Sequence, residues 1–247
     1  MADNSAIEWT DTTWNPVTGC TKISAGCDNC YAARFSERFR NVPDHPFETG
    51  FDLTLRPERL EQPLRWKRPR MIFVNSMSDL FHKDIPKPHV EAVFDTMEQA
   101  NWHTYQVLTK RSSLLQKFLN DRYKERKPPE HMWFGVSVEN EQAKSRIAHL
   151  QNANAAVRFL SVEPLLEALG VLNLEGIHWV IVGGESGPGA RPMEKKWAID
   201  VRRQCEKAGV AFFFKQWGGF RPKSGGRLLE GKEWNQFPLR TELHAAE

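Results

Sequence analysis

The sequence predicts an α/β fold built on a (β/α) barrel, either complete or partial. Short apolar runs, many of them rich in β-branched or aromatic residues, favour buried parallel strands. Stretches with helical spacing separate these runs, and such alternation is typical of a parallel sheet covered by helices. The chain has 247 residues, which matches the roughly 250 residues of a single barrel. A doubly wound open sheet is the alternative architecture.

The order of the elements follows from the positions of the apolar runs. We expect strands at residues 71–74, 105–108, 132–136, 159–162, 179–182 and 210–214. We expect helices at residues 87–100, 112–123, 141–151 and 194–208, with Gly209 as the C-cap of the last. A weaker unit combines a strand at 51–55 with a helix at 56–66, and residues 12–17 are expected to hold an opening strand. Together these elements predict eight strand–helix units.

Composition indicates a globular protein with one main domain. Hydrophobic residues make up 40% of the chain and charged residues 26%, so the chain can bury a sizeable core. We expect a barrel over residues 1–217 and a loop-rich C-terminal extension over residues 218–247. No window approaches the roughly 18 consecutive apolar residues of a membrane span, and residues 1–9 lack a signal pattern. We therefore expect a cytoplasmic protein without membrane contact.

Two segments concentrate the positive charge, although the net charge is only +3. One holds Arg65, Lys67, Arg68 and Arg70, and the other, residues 110–127, holds seven basic side chains. Such segments are common on solvated helix faces and loops. The alternative interpretation is contact with the phosphate backbone of a nucleic acid.

Three of the four cysteines lie within eleven residues, which indicates a metal site rather than a disulfide in a cytosolic chain. Cys20, Cys27 and Cys30 follow the spacing C-x6-C-x2-C. Three thiolates can bind three irons of a cubane cluster and leave the fourth iron open to a small molecule. A structural zinc is the alternative, and it would need a fourth ligand such as His45. Cys205 is expected to be a small buried hydrophobe.

Residues 19–32, GCTKISAGCDNCYA, resemble the cluster loop of radical S-adenosylmethionine enzymes. We term this segment the cysteine loop. The chain as a whole resembles the three-cysteine-motif phage proteins, a largely uncharacterised family. The matching segments are FVNSMSDLFH, VLTKR, GVSVEN, LSVEPLL, VGGESGPGARP and FFKQWG. The pair Cys30 and Tyr31 together with the NSMSD stretch also resembles spore photoproduct lyase, a radical enzyme that repairs a thymine dimer in DNA.

This resemblance implies a cofactor set and a reaction type. Cys20, Cys27 and Cys30 would carry a [4Fe-4S] cluster, S-adenosylmethionine would bind to it, and a 5'-deoxyadenosyl radical would be generated. An electron donor such as flavodoxin or ferredoxin is implied, and we expect a monomer. Nucleic acid, in particular DNA with photolesions, is the expected substrate. One rival hypothesis is a non-enzymatic zinc or iron–sulfur module that binds nucleic acid. Another is a barrel hydrolase or transferase that acts through Glu139, Glu163 and Lys215.

Polar residues follow most predicted strands, at the carboxyl edge where barrel enzymes keep their active sites. We term this edge the mouth. The residues with chemistry suited to S-adenosylmethionine are Tyr31, Ser76, Ser78, Asp79, Lys110, Ser137, Glu139 and Glu163. Lys215 is expected to take part in catalysis. An anion or substrate site is expected at Gly183, Gly184, Glu185 and Arg191. For the polar side chains the alternatives are helix caps, loop hydrogen bonds and salt bridges, for example between Lys215 and Glu163 or Glu185.

Overall fold

The computed structural model describes residues 5–221 and 223–238, and its main feature is a sheet of seven parallel strands. The described strands, in chain order, are β1 Thr12–Trp14, β2 Val17–Thr18, β3 Thr54–Leu55, β4 Met71–Val74, β5 Thr104–Thr109, β6 Met132–Ser137, β7 Val157–Val162, β8 Trp179–Gly183 and β9 Ala211–Gln216. The sheet contains β1 and β4 to β9, and each strand lies beside the next one along the chain. This sequential order is that of a barrel wall and lacks the reversal of a doubly wound sheet.

The sheet curls into a half-barrel, so the partial form of the predicted (β/α) barrel is confirmed. Within the described residues, β1 pairs with β4 and β9 pairs with β8, and no pairing joins β1 to β9. The described α-helices are α1 Tyr31–Glu37, α2 Gln62–Arg65, α3 Lys87–Gln99, α4 Ser112–Arg122, α5 Ser145–Gln151 and α6 Lys195–Ala208. Gly209 follows α6 with a left-handed φ of 67°, as the predicted C-cap requires.

The prediction of eight units is wrong at the start of the chain. The opening strand ends at Trp14, before Pro16, and the chain then leaves the main sheet. The strand expected at 51–55 is only Thr54–Leu55, which pairs antiparallel with Val17–Thr18 in a separate two-stranded sheet. The short apolar run at 51–55 carries no signal that distinguishes a barrel strand from this outer hairpin-like pairing.

Alternation along the strands divides the core into two parts. Residues such as Ile72, Phe134 and Val180 face the helices, where they join a large apolar cluster. The inner face of the half-barrel carries an aromatic cluster near the amino ends of the strands: Trp9, Phe73, Trp133, Phe159, Trp179 and Phe213. Toward the carboxyl ends the same face becomes polar, because strand periodicity of two places the side chains of residues such as Ser137 and Glu163 on it.

The last described residues pack against β9 at one edge of the sheet. Residues 234–236 run antiparallel to β9, where Phe214 N donates to Trp234 O at 2.9 Å and Gln236 N donates to Phe212 O at 3.2 Å. This part of the predicted C-terminal extension is therefore packed on the barrel, whereas residues 222 and 239–247 lie outside the described residues. None of the helices described is both long enough and apolar enough to cross a membrane.

Candidate functional site

The mouth of the half-barrel is covered by the cysteine loop. Parallel strands end at one edge, and the loop after β2 crosses this edge next to the segment that follows β4. Gly19 forms a parallel bridge with Ser78, and Gly19 N donates to Met77 O at 2.9 Å. A φ of 81° at Gly19, and a Cβ position that would overlap the carbonyl of Asp52, require glycine at this crossing.

Asp79 anchors the start of the cysteine loop through Arg111. Its Oδ1 atom accepts from Thr109 Oγ1 at 2.7 Å and from Phe81 N at 3.0 Å. Its Oδ2 atom accepts from Lys110 N at 3.1 Å and from Arg111 Nη1 at 2.9 Å. Four donors therefore occupy this buried carboxylate. A contact of Asp79 with a ribose hydroxyl, as the sequence predicts, would have to displace one of them.

Glu139 contacts the middle of the cysteine loop from the side of the sheet. The side chain is fully buried, its Oε1 atom accepts from Ser24 Oγ, and its Oε2 atom accepts from Arg146 Nη1 at 2.8 Å. A Cβ at Gly26 would lie 3.1 Å from this carboxylate, so the loop backbone rests directly on it. Burial alone would raise the pKa of Glu139, but Lys110, Ser24 and Arg146 outweigh it and the pKa lies below its ordinary value.

Glu185 anchors the end of the cysteine loop. Its Oε2 atom accepts from Asn29 Nδ2 at 2.8 Å, and Arg191 donates to the carboxylate from its backbone N, Nε and Nη2 at 2.6 to 3.0 Å. Arg191 Nη2 also donates to Ala25 O at 2.8 Å. Burial opposes ionisation, but the bonds from Arg191 and Asn29 hold the pKa of Glu185 below its ordinary value. Arg191, expected to bind an anion, is thus paired inside the protein.

These three anchors follow alternate strands of the sheet. Asp79 comes after β4, Glu139 after β6 and Glu185 after β8, and each reaches a different part of the cysteine loop. Arg111 completes the first anchor, since its Nη2 atom donates to Thr21 O at 3.0 Å. The loop is therefore held along its length by charge-assisted hydrogen bonds, which are stronger than neutral ones.

Glu163 and Lys215 form a separate ion pair that does not contact the cysteine loop through any described hydrogen bond. Lys215 Nζ lies 2.6 Å from Glu163 Oε1, as one alternative from the sequence proposed, and both side chains keep about a fifth of their surface exposed. Gly183 of β8 lies between them, and a Cβ there would approach the Glu163 carboxyl carbon to 3.2 Å. Glycine at this position leaves the space that the pair occupies.

The remaining side chains that the sequence predicts to contact a ligand also lie around the mouth. Lys110 Nζ donates to Ser137 Oγ at 3.0 Å, and Tyr31 OH donates to Ser76 O at 2.6 Å. Ser78 Oγ donates to Val17 O at 3.0 Å. The structure thus brings the predicted residues together at one edge, and each of these side chains already has a partner in the protein.

The three clustered thiols are free and half-buried, whereas Cys205 is buried in α6. In the part of the chain that the structure describes, no three His, Cys, Asp or Glu side chains are arranged to hold a metal ion. The donor set nevertheless has the chemistry of a cluster site, since it offers three thiols and Cys20 Sγ accepts from Arg111 Nη1 at 3.4 Å. Burial raises the pKa of Cys20, and Arg111 opposes this shift.

The fourth ligand expected for a zinc site is engaged elsewhere. The His45 ring stacks on Phe39 with centroids 3.8 Å apart, and His45 Nδ1 accepts from Phe47 N at 3.1 Å. The expectation that His45 completes a zinc site with the cysteines therefore finds no support in this arrangement.

Sequence reasoning missed two residues of the mouth. Arg111 lies in the basic segment 110–127 just after a predicted strand, but the sequence assigns it no ligand or partner; in the structure it follows β5 and contacts both Asp79 and Cys20. Asn75 directly follows β4 with a left-handed φ of 58°, is buried, and its Nδ2 atom has no hydrogen-bond partner among the described residues. Their positions directly after strands were the available signal, and their partners depend on contacts distant in sequence.

Most of the basic residues singled out in the sequence lie away from the mouth. Residues 65–70 immediately precede β4 and residues 124–127 precede β6, so both lie toward the amino edge of the sheet. Arg122 and Arg126 are paired with Glu98 at 2.9 and 2.8 Å. Only Lys110 and Arg111 of the second segment reach the mouth, so the basic segments do not form a surface around it.

Fold and site together define an α/β half-barrel protein with a three-thiol loop anchored over the carboxyl edge of its sheet. The chain belongs to the family described as Protein of unknown function (DUF5131), whose model matches residues 4–238. This agrees with the expectation of an uncharacterised family. No curated protein matches the sequence.

Among solved structures, the chain is similar to "Spore photoproduct lyase complexed with dinucleoside spore photoproduct". The TM-score is 0.40 and the sequence identity is 10%. The match covers 77% of this chain and 59% of that chain, so this chain spans about three fifths of the other protein's length.

Proposed function

We propose that this protein is an iron–sulfur enzyme of the radical S-adenosylmethionine class. The observation that carries the proposal is the placement of three free thiols on one loop that three carboxylates anchor over the mouth. Three thiolates suit a [4Fe-4S] cluster with one iron left open, whereas a closed zinc site needs four ligands. Cys20, Cys27 and Cys30 would hold the cluster.

A reduced cluster of this kind supplies the electron that cleaves the sulfonium of S-adenosylmethionine into methionine and a 5'-deoxyadenosyl radical. The protein would bind and orient the sulfonium nucleotide and exclude water. Lys110 suits its carboxylate, and the unpartnered Nδ2 atom of Asn75 is a buried donor at the same edge. The contacts predicted for Tyr31, Ser76, Ser78 and Ser137 belong to the same proposal.

The Glu163–Lys215 pair is the part of the mouth that we assign to the substrate. Unlike the three anchoring carboxylates, it is partly exposed and holds no part of the cysteine loop. An ion pair in this position can donate a proton to a bound group or accept a proton from it. The pair can also orient the bound group by hydrogen bonds. Gly183 and Gly184 allow the backbone to approach a bound group closely at the same place.

Nucleic acid is the proposed substrate class, with DNA photolesions as the specific candidate. Three aromatic side chains near the mouth are unusually exposed: Tyr31 at 55%, Phe35 at 43% and Phe220 at 70%. Phe220 follows Gly219, whose N donates to Glu185 O at 2.8 Å, and Tyr31 and Phe35 lie one turn apart on α1. Exposed aromatic rings provide surfaces on which unpaired bases stack. A flavodoxin or ferredoxin would supply the electron.

Anaerobic reconstitution tests the cofactor. We expect a brown protein with about four irons per chain that, when reduced, converts S-adenosylmethionine into methionine and 5'-deoxyadenosine. Cys27→Ala should lose both the colour and the cleavage. Cys205→Ala is the matched control, because its thiol is buried in α6, and it should retain both. A colourless protein with one zinc ion would instead favour the rival hypothesis of a non-enzymatic zinc module.

A panel of UV-irradiated oligonucleotides tests the substrate. The loaded wild-type protein is incubated with S-adenosylmethionine, a reductant and each oligonucleotide, and products are separated by chromatography. We expect a product that depends on the lesion and on Cys27. Cleavage of S-adenosylmethionine without any lesion-dependent product would remove photolesion repair while leaving the enzyme class in place.

A further inference from the structure

Arg111 makes the one side-chain hydrogen bond from a cationic group to a clustered thiol within the described residues. Its Nη1 atom lies 3.4 Å from Cys20 Sγ, within the range of an N–H···S hydrogen bond. Its Nη2 atom donates to Thr21 O at 3.0 Å and to Thr21 Oγ1 at 3.1 Å. One guanidinium therefore contacts both the first thiol of the loop and the residue after it.

The guanidinium is fixed in this position from the opposite side. Asp79 Oδ2 accepts from Arg111 Nη1 at 2.9 Å, and only 9% of each side chain is exposed. Arg111 N donates to Thr109 Oγ1 at 2.8 Å, while the same hydroxyl donates to Asp79 Oδ1. Because both terminal nitrogens of its guanidinium are already hydrogen-bonded, Arg111 loses little further freedom when it donates to the sulfur of a cysteine that binds the cluster.

A cation that donates to a cysteine sulfur stabilises negative charge on that sulfur. Hydrogen bonds to the sulfurs and nearby charge are among the factors that set the reduction potential of an iron–sulfur cluster. A reduced cluster carries one more negative charge than an oxidised one, so the Arg111 cation stabilises the reduced form more. The same bonds restrict the backbone of the loop at Thr21.

We propose that Arg111 is the positioning residue of Cys20. Arg111 holds the start of the cysteine loop in place and raises the reduction potential of the cluster. This inference rests on the proposed function for its redox part and on the described contacts alone for its positioning part. Asp79, predicted from the sequence to bind the cofactor, acts here by holding Arg111.

Three variants and a control separate the charge from the contact. Arg111→Gln removes the cation and its bond to Asp79, Arg111→Lys keeps the charge with fewer donors, and Asp79→Asn keeps Arg111 but weakens its fixation. Arg122→Gln is the control, because Arg122 lies on the adjoining helix α4, is equally ion-paired with Glu98 and Asp95, and contacts no part of the cysteine loop in the described hydrogen bonds.

The redox part is measured on reconstituted protein by iron content and by spectroscopic titration of the midpoint potential. We expect Arg111→Gln to shift the midpoint to a more negative value, Arg111→Lys to fall between it and the wild type, and Arg122→Gln to match the wild type. Equal midpoints in Arg111→Gln and Arg122→Gln would overturn the redox part. If Arg111→Gln binds too little iron to titrate, Asp79→Asn decides instead. It leaves the Arg111 cation without its paired carboxylate, so its midpoint should be more positive than that of the wild type, and an unchanged midpoint would overturn the redox part.

The positioning part is measured on the protein without metal, by the rate at which trypsin cuts after Lys22 in the cysteine loop. We expect cleavage roughly tenfold faster in Arg111→Gln than in Arg122→Gln, because a loop that opens more often is cut more often. Equal rates would overturn the positioning part. A wild-type protein that takes up no iron would refute the proposed function, and the cleavage rates would still decide on the positioning part.

Discussion

Four acidic side chains at the mouth are separated into two groups by their hydrogen-bond partners. Asp79, Glu139 and Glu185 are buried, have several donors each and hold the cysteine loop directly or through an arginine. Glu163 is partly exposed and is paired with Lys215 alone in the described ion pairs. Substitution of Asp79, Glu139 or Glu185 should therefore affect the stability of the cysteine loop. Substitution of Glu163 should instead affect reactivity.

Glu185→Gln should destabilise the protein by about 2 kcal/mol at neutral pH, since charge-assisted bonds from Arg191 and Asn29 lose the negative charge. The pKa of Glu185 is lowered in the folded protein, so this contribution is present above the ordinary glutamate pKa of 4.5 and is lost as the pH falls through the folded value. Urea unfolding at about pH 7 and about pH 3.5 should show the difference from wild type narrowing in acid. Glu175→Gln, on an exposed side chain, is the control. A difference that stays constant between the two pH values would contradict this argument.

Glu163→Gln should affect the chemistry more than the fold. Only about a fifth of each side chain in its ion pair with Lys215 is exposed, but the Gln amide oxygen can still accept from Lys215, so we expect unfolding free energy to fall by about 1.5 kcal/mol. If the pair handles a proton of the substrate, turnover of the substrate should fall by about 100-fold. Cleavage of S-adenosylmethionine without substrate should stay close to the wild-type rate. An unchanged substrate turnover would exclude Glu163 from the chemistry.

At the level of elements, the ends of β8 and β9 are packed so closely that two neighbouring glycines have different roles. A Cβ at Gly184 would overlap the carbonyl oxygen of Trp217, which is backbone and cannot move aside. A Cβ at Gly183 would instead meet the side chain of Glu163 at 3.2 Å, and a side chain can rotate away. The two positions therefore test the strand packing and the ion pair separately.

Gly184→Ala should cost about 3 kcal/mol of unfolding free energy, because overlap with backbone forces β8 and β9 apart. Gly183→Ala should cost about 1 kcal/mol and should displace Glu163 from Lys215. Urea unfolding of both variants measures the first effect, and substrate turnover of Gly183→Ala measures the second. Equal stability of the two variants would show that the strand ends are less tightly packed than the structure indicates.

Local sequence patterns were sufficient for most elements and insufficient for the contacts between them. The six expected strands from 71–74 to 210–214 are all present, because buried parallel strands are apolar at most of their positions. The run at 51–55 has the same local character but belongs to a small separate sheet. Strand ends likewise located Lys110, Ser137 and Glu163 at the mouth, whereas the bond between Arg111 and Cys20 spans 91 positions and leaves no local pattern.

On the scale of the whole molecule, a half-barrel must close its inner face without further strands. The N-terminal segment does this with Trp9, which lies 4.7 Å from the Phe73 ring and 6.2 Å from the Trp179 ring, measured between centroids. Gln106 Nε2 donates to Trp9 O at 2.9 Å from inside the sheet. Lys223 joins the two ends of the described chain, because its Nζ atom lies 2.9 Å from Glu8 Oε1.

Trp9→Ala should therefore destabilise the whole fold by about 4 kcal/mol, the cost typical of removing a large buried aromatic side chain. Trp9→Phe should cost about 1.5 kcal/mol, because it keeps a ring in the cluster and removes an Nε1 atom that has no hydrogen-bond partner among the described residues. Phe220→Ala, on a ring that is 70% exposed, should change stability by less than about 0.5 kcal/mol. Urea unfolding of the three variants gives this ranking directly. Should Trp9→Ala prove as stable as Phe220→Ala, the aromatic cluster would be complete without the N-terminal segment, and the sheet together with residues 234–238 would be sufficient to close this side of the half-barrel.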